Sequence, residues 1–202
     1  MAGASTIRSL LVIVFLSLLV IMPLAARGGA ARCPRVPSMT AERACRAVCG
    51  TRDMRARCRR TLSARRGGAA AVAVTLHAAA AARSALDSYA ATAAAAASLV
   101  DGGAVTNGEK AAYGNCMVGY GVARGAMARV AGDLAADGCD RAADLKSAYM
   151  AGLRGMDRCR RSLFDYPQSP LYALNLADRN KTLLAALLCS LVPAPPMGGS
   201  HV

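Results

Sequence analysis

Cysteines are the residues of this 202-residue chain best suited to chemistry, since its eight cysteines could form disulfides, hold a metal or act as redox thiols. None of them stands in a Cys-x-x-Cys motif, and His77 and His201 are the only histidines. Structural zinc sites take several closely spaced Cys and His ligands. The sequence therefore predicts disulfides, with no metal site and no cofactor.

Side chains for acid–base or nucleophilic catalysis are also poorly placed. His77 falls in an alanine-rich helix, His201 lies in the C-terminal tail, and no Ser-His-Asp or paired-carboxylate pattern occurs. Four tyrosines fit the apolar side of predicted helices better than a reactive site: Tyr113, Tyr120, Tyr149 and Tyr172. We therefore predict that the protein is not an enzyme.

The segment from Tyr113 to Leu163 is predicted to form two long helices folded back on each other. Apolar residues recur there mostly at steps of three and four, which is the spacing of a buried helical stripe. Between the stripes, Asp137-Gly138-Cys139-Asp140 has the residues of a helix end followed by a helix start. An antiparallel helical hairpin is therefore expected.

Cys116 and Cys159 lie almost symmetrically about this turn, 22 residues before and 21 residues after Gly138. At a rise of about 1.5 Å per residue, each lies roughly 32 Å from the turn, so the two thiols should meet at the same height. This spacing favours a disulfide between the helices. Two separate buried thiols are the alternative.

The remaining segments are predicted to complete an all-α fold. Residues 33–66 are interpreted as an N-terminal helical hairpin, with Ser38 or Thr40 capping its first helix. Residues 69–191 are interpreted as an up-down-up-down four-helix bundle stabilised by disulfides, because short connections favour antiparallel neighbours. For the alanine-dominated segment that forms its first helix, the alternative is a disordered tract. No segment alternates like a strand, and residues 192–202 are predicted to be disordered.

The first 26 residues have the pattern of a secretory signal peptide. Arg8 precedes an apolar run from Leu10 to Met22, then Pro23 and small residues follow, so cleavage is expected between Ala26 and Ala31. An uncleaved membrane anchor is the alternative, although the run is short for a membrane span. We therefore predict a secreted, extracellular protein with no membrane association after cleavage, in a compartment where disulfides persist.

The chain is strongly basic, with a net charge of +13. The excess is concentrated between Arg32 and Arg66, where only Glu42 and Asp53 oppose the arginines. Basic surfaces bind nucleic acids, acidic polysaccharides or acidic proteins. Because the chain is predicted to be secreted and has no aromatic residue among these arginines, an acidic polysaccharide or an acidic protein is favoured over nucleic acid. A solvated surface without a partner is the plain alternative.

Four motifs occur in order along residues 41–191. They are Cys49-Gly-Thr51 with Cys58, Asn115-Cys116-Met-Val-Gly-Tyr120, Tyr149-Met-Ala-Gly-Leu153 with Asp157-Arg-Cys159, and Leu184-Ala185 in the last helix. With these motifs the chain resembles the plant invertase and pectin methylesterase inhibitor domain family. The resemblance implies the disulfides Cys49–Cys58 and Cys116–Cys159. It also implies a helical bundle that docks onto a cell-wall enzyme and blocks its substrate cleft.

The chain departs from that family's pattern at positions that bear on the target. Met150 replaces the serine of a Leu-Ser-Ala-Ala-Leu run, and Arg158 replaces the threonine before the fourth cysteine of the pattern. Met150, Arg154 and Arg158 are therefore the candidate target contacts, and they imply a changed target or lost inhibition. Asn180 begins an Asn-Lys-Thr glycosylation sequence.

Four cysteines are not covered by the resemblance. In an antiparallel bundle the last helix ends at the level of the turn near Cys139, so Cys189 is expected to pair with Cys139. That leaves Cys33 to pair with Cys45. A free, buried Cys189 is the alternative.

The predicted function is one-to-one inhibition of a cell-wall carbohydrate-active enzyme by docking, without chemistry. Pectin methylesterase is the first target, because a Pro-Lys-Phe segment associated with the family's invertase inhibitors is absent. Acid invertase, in the wall or the vacuole, is the second. A basic structural protein that holds pectate is the alternative of another class. A lipid-transfer carrier is disfavoured, because the chain lacks adjacent cysteines.

Overall fold

The computed structural model describes residues 35–63, 70–103, 105–135 and 144–194. Within these ranges the protein is mostly helical, as predicted, with six helices and two very short strands. In chain order these are β1 (Ser38–Met39), α1 (Ala41–Val48), α2 (Arg52–Ser63), β2 (Val72–Ala73), α3 (Val74–Asp101), α4 (Asn107–Ala135), α5 (Leu145–Ser162) and α6 (Pro170–Cys189).

Helices α1 and α2 pack against each other as a short hairpin, and each begins at a threonine. The N–H of Arg43 donates to Oγ1 of Thr40 at 3.2 Å, and the N–H of Met54 donates to Oγ1 of Thr51 at 3.2 Å. These hydroxyls satisfy backbone donors that have no partner within the first turn of a helix. The side chains of the hairpin that point inward include Ala44, Cys45, Cys58 and Leu62.

A two-residue antiparallel pairing joins the lead-in of the hairpin to the start of α3. Ser38 pairs with Ala73, and Met39 pairs with Val72. The sequence did not predict these strands, because two residues are too few to show a strand's alternation. Nearby, Nε2 of His77 donates to the carbonyl of Met39 at 2.9 Å. His77 therefore has a structural hydrogen bond at this junction.

The alanine-dominated segment is helical from Val74 to Asp101, so the disordered alternative is wrong for this part of the chain. Its buried face consists largely of alanine, including Ala78, Ala82 and Ala85. Alanine has the highest helix propensity but buries little area, so this helix depends on close contact with its neighbours.

Each of the four long helices packs against two of the others. Helix α4 packs against α3 and α5, and α6 packs against α3 and α5, while the α1–α2 hairpin contacts α3 and α6. This arrangement is compatible with a four-helix bundle. The core between the long helices contains Tyr89, Tyr113, Met127, Met156 and Leu184. No helix in the described ranges is long and apolar enough to cross a membrane.

The ends of α4 and α6 follow local sequence signals. Thr106 and Glu109 bond reciprocally at the start of α4: the N–H of Thr106 donates to Oε2 of Glu109 at 2.9 Å, and the N–H of Glu109 donates to Oγ1 of Thr106 at 3.3 Å. Helix α6 begins with Pro170 at its first turn and a capping Ser169. Val192 packs against the core, so the predicted disordered tail does not include it.

Several predicted segments lie outside the described residues. They are the signal peptide 1–26, the turn 137–140 and the tail from residue 195 onward.

Candidate functional site

The candidate docking site is built on α4 and α5, which are joined covalently. Cys116 on α4 and Cys159 on α5 form a disulfide with an S–S distance of 2.00 Å, which is the pair expected from the sequence. Both residues are fully buried. The role of this pair is structural, because it holds the two helices at one register.

Glycines bring the backbones of α4 and α5 together beside this disulfide. A Cβ atom at Gly119 would lie 2.5 Å from the carbonyl oxygen of Gly155, and one at Gly155 would lie 2.6 Å from the carbonyl oxygen of Gly119. Gly152 is similarly close to Met127 on α4. At Gly119 and Gly155 the atoms in the way belong to the backbone, so only glycine fits there and the outer surfaces of the two helices are held nearly side by side.

The exposed residues next to this contact define a surface that we call the α4–α5 face: Val118, Val122, Arg154 and Arg158. Each of them immediately precedes a contact residue, since Val118 comes before Gly119 and Arg158 before Cys159. Val118 is 48% exposed and Val122 is 46% exposed. Exposed valines one helical turn apart, flanked by arginines, make a mixed apolar and cationic surface.

Small residues keep the α4 side of this face flat. Gly114, Gly121, Gly125 and Gly132 are exposed, and a Cβ atom at any of them would meet nothing within 4 Å. The helix backbone is therefore open to close approach by another molecule.

The three candidate target contacts all lie on α5 and are all exposed. Met150, at 40% exposure, lies one turn before Arg154, and Arg158 lies one turn after it. The neighbouring Asp157 is already engaged, because Nε of Arg179 donates to its Oδ1 at 2.7 Å. The guanidinium groups of Arg154 and Arg158 form no salt bridge with the described residues. Their role as contacts stays a prediction.

The predicted disulfide Cys49–Cys58 is wrong: Cys58 pairs with Cys45, at a Cα–Cα distance of 5.7 Å. The reason is the height of each residue above the turn of the hairpin. Cys58 lies six residues into α2, and its antiparallel neighbour on α1 must lie a similar distance before the turn. Cys45 lies one helical turn before the end of α1 and comes nearer to this condition, whereas Cys49 lies at the turn itself. Cys49 is a free, buried thiol.

The other two predicted pairs are also corrected. Cys45 is taken by Cys58 and so cannot pair with Cys33, which lies outside the described residues. Cys189 is a free, buried thiol in the structure, so the expected pair with Cys139 is not formed; Cys139 itself is not described. A thiol at the end of α6 is stable inside a core because a protonated cysteine behaves as a small apolar group.

A cluster of buried polar groups, absent from the sequence-based prediction, links α3, α4 and α6. Its centre is the carboxylate of Asp178, which is 1% exposed. Oγ1 of Thr92 donates to Oδ2 at 2.7 Å, the hydroxyl of Tyr120 donates to Oδ2 at 2.8 Å, and Oγ of Ser88 donates to Oδ1. A buried charge requires such partners, so the cluster compensates Asp178.

Further hydrogen bonds extend this Asp178 cluster along α6. Lys181 donates to Ser88 and lies 3.9 Å from Oδ1 of Asp178. The hydroxyl of Tyr89 donates to Thr182, whose own hydroxyl donates to the carbonyl of Asp178 at 2.8 Å. Donors from three helices thus converge on one turn of α6.

Two tyrosines of the cluster remain donors over the ordinary pH range. Burial, followed by the charge of the Asp178 carboxylate and the hydrogen bond to it, raises the pKa of the Tyr120 phenol. Burial also raises the pKa of Tyr89, with a further contribution from the charge of Asp178, although the bond to Thr182 opposes it. The rings meet edge to face with centroids 5.6 Å apart.

The cluster is suited to fixing helix register rather than to chemistry. Its carboxylate is saturated with donors and closed off from solvent. One polar atom nearby has no partner among the described residues: Oδ1 of the buried Asn175, whose Nδ2 donates to the carbonyl of Met156 at 3.3 Å. The sequence signal was the placement of Tyr120, Asp178 and Thr182 within otherwise apolar helical stripes. Such spacing shows which face of a helix each residue occupies, but not which groups it contacts.

Two further predicted features can be located. Asn180 lies in the middle of α6 and is partly exposed, so glycosylation there stays a prediction. Within the described ranges, no group of three or more His, Cys, Asp or Glu residues could hold a metal ion.

Comparison with known proteins does not add to this description, since no family model, curated protein or solved structure matches the chain.

Proposed function

We propose that this protein is a secreted inhibitor that docks one-to-one onto a cell-wall carbohydrate-active enzyme and blocks its substrate cleft. The observation that carries the proposal is the α4–α5 face, where exposed valines and arginines stand on two cross-linked helices. The motifs of the inhibitor family suggest a cell-wall enzyme as the target, and two of these motifs lie on α4 and α5.

The proposal includes an up-down-up-down four-helix bundle as the scaffold of the inhibitor. Docking of a rigid scaffold loses little conformational entropy, so more of the contact free energy remains as affinity. The disulfide Cys116–Cys159 and the glycine contact at Gly119 and Gly155 both support such rigidity. The proposal includes secretion to the apoplast, which the signal-like first 26 residues and the disulfides support.

Pectin methylesterase is the first proposed target and acid invertase the second. The absence of the Pro-Lys-Phe segment favours the first. Whichever enzyme binds, Arg154 and Arg158 favour a target surface that carries carboxylates around an apolar centre, since guanidinium groups pair well with carboxylates.

The test is a titration of the purified mature protein against a plant pectin methylesterase and an acid invertase near apoplastic pH. We expect inhibition of one enzyme, with the methylesterase first. Val122→Glu should weaken inhibition by about tenfold or more, because a carboxylate would replace an apolar contact at the centre of the face. Leu76→Glu is the matched control, since Leu76 on α3 is 45% exposed but lies away from this face.

Failure to inhibit either enzyme would contradict the proposal, and so would equal effects of the two glutamate variants. Retention on pectate without inhibition would favour a structural protein of the wall.

A further inference from the structure

The α1–α2 hairpin carries a concentration of positive charge that the fold does not use. Residues 35–63 contain eight arginines against only Glu42 and Asp53. Six of the arginines are exposed: Arg35, Arg43, Arg46, Arg52, Arg59 and Arg60. Like charges held this close repel each other, and stability alone gives no reason to gather them.

The salt bridges and hydrogen bonds of the hairpin occupy only part of this charge. Glu42 lies between two guanidinium groups, 3.6 Å from Nη2 of Arg46 and 3.7 Å from Nη1 of Arg59. Nη2 of Arg55 donates to the carbonyl of Cys49 at 3.4 Å. The bonds of Arg59 and Arg55 tie α2 to α1, whereas that of Arg46 lies within α1.

Four exposed arginines remain without an acidic partner: Arg35 before the hairpin, Arg43 on α1, and Arg52 and Arg60 on α2. The last three lie on the two helices. None of the four forms a salt bridge with any residue that the structure describes. Arg43, Arg52 and Arg60, with Arg46 and Arg59, form what we call the arginine surface.

The arginine surface is a fixed array, because the two helices that carry it are linked by the disulfide Cys45–Cys58. Along α2, Arg52 and Arg59 are seven residues apart, or about 10 Å along the helix axis. Seven residues is close to two helical turns, so both side chains lie on one side of α2. An extended row of cations fits a linear polyanion better than a single small anion.

The chemistry of this surface favours carboxylates on a carbohydrate chain. Guanidinium groups bind carboxylates with paired hydrogen bonds. Single-stranded nucleic acids usually require aromatic platforms for base stacking, and residues 35–63 contain no aromatic residue. The surface also lacks the exposed large apolar side chains that anchor protein partners: all six such residues in the described ranges lie elsewhere.

The arginine surface and the α4–α5 face are carried by different parts of the fold. The hairpin packs on α3 and α6, whereas the α4–α5 face lies on the two long helices that make few contacts with it. A polymer bound to the hairpin therefore leaves the α4–α5 face open.

We propose that the arginine surface is a second binding site, for a linear carboxylate-bearing polysaccharide, and that it acts independently of the α4–α5 face. Such a site would hold the protein within an acidic polysaccharide matrix while the α4–α5 face engages another molecule.

The experiment measures binding of the full mature protein to polygalacturonate, with fully methyl-esterified pectin as the uncharged counterpart. We expect binding to the first polymer only, weakened about tenfold or more when salt rises from about 0.05 M to about 0.3 M, because added ions screen exposed charges. The triple variant Arg43→Gln, Arg52→Gln, Arg60→Gln should weaken binding by at least about tenfold.

A matched triple variant separates a defined site from net charge. Arg124→Gln, Arg129→Gln, Arg161→Gln removes the same charge from exposed positions of α4 and α5 outside the α4–α5 face, and it should leave polygalacturonate binding within about twofold. Equal losses in the two triple variants, or no binding at the lower salt, would overturn the proposal. Tighter binding of duplex DNA through the same three arginines would assign the surface to nucleic acid instead. Inhibition assays do not enter this test, so its outcome is separate from that of the proposed function.

Discussion

Cys189 is a thiol whose surroundings change its reactivity. It is buried at the end of α6, and burial raises its pKa from 9.0 to about 12. The charged thiolate has no compensating partner there, so the native state favours the protonated form. Between these two pH values the unfolded chain loses this proton and the folded chain keeps it, so folding becomes less favourable as pH rises through that window.

Alkylation of Cys189 in the native protein should therefore be slow and steeply dependent on pH. At pH 9 only about a thousandth of the thiol is ionised, so iodoacetamide should react at least about 100-fold more slowly than with an unfolded peptide. The rate should rise about tenfold per pH unit up to the raised pKa.

Peptide mapping after timed labelling measures this rate. Ser190→Cys in a Cys189→Ala background is the control, because Ser190 is the exposed neighbour and its cysteine should label at an ordinary rate. A labelling rate for Cys189 that levels off near pH 9 would contradict the assignment of a buried, raised pKa.

Asp178 is the residue on which the buried polar cluster depends. Asp178→Ala would leave the hydroxyls of Ser88, Thr92 and Tyr120 without an acceptor inside the core. We expect a loss of about 3–5 kcal/mol in the free energy of unfolding, measured by denaturant titration. Asp87→Ala, an exposed aspartate on α3, should change that free energy by less than about 0.5 kcal/mol. Similar losses in the two variants would show that the cluster contributes little.

At the scale of elements, the contact between α4 and α5 is decided by glycines that sequence reasoning passed over. A Cβ atom added at Gly155 would lie 2.6 Å from the carbonyl oxygen of Gly119 and 2.9 Å from the amide nitrogen of Ala123. Gly155→Ala should therefore push the helices apart and cost about 1–3 kcal/mol of stability, measured by thermal and urea unfolding.

Gly125→Ala is the matched control on the same pair of helices. A Cβ atom at Gly125 would meet nothing within 4 Å, so alanine should stabilise the exposed helix by about 0.5–1 kcal/mol. A neutral Gly155→Ala variant would mean that the two helices can separate without cost.

At the scale of the whole molecule, the two described disulfides close loops of different length. Cys116–Cys159 spans 43 residues and Cys45–Cys58 spans 13. A longer closed loop restricts the unfolded chain more, so we expect Cys116→Ala with Cys159→Ala to cost about 4 kcal/mol, and the pair at 45 and 58 about 3 kcal/mol. Urea unfolding of both double variants checks the order. A larger loss from the hairpin pair would show that native-state packing, rather than loop length, decides.

Local features of the molecule could be predicted well. Thr40, one of the two expected caps, does cap the first helix, and the helical state of the long segments followed from apolar spacing. Helix caps and periodicity act over a few residues, so the sequence displays them directly.

Features that join distant residues could not be predicted in the same way. The choice of Cys45 over Cys49 depends on how far each lies from the hairpin turn in space. The donors to Asp178 come from residues 58 to 90 positions away, and periodicity shows which face each occupies but not which groups meet.

The sequence by itself therefore determined the helices, their ends and the basic character of the N-terminal hairpin, because these properties arise within single segments. The symmetric placement of Cys116 and Cys159 about a predicted turn also indicated one long-range contact, the disulfide between them. Tertiary structure alone decided the partner of Cys58, the free thiols Cys49 and Cys189 and the Asp178 cluster, because each depends on distances of a few ångströms between separate helices.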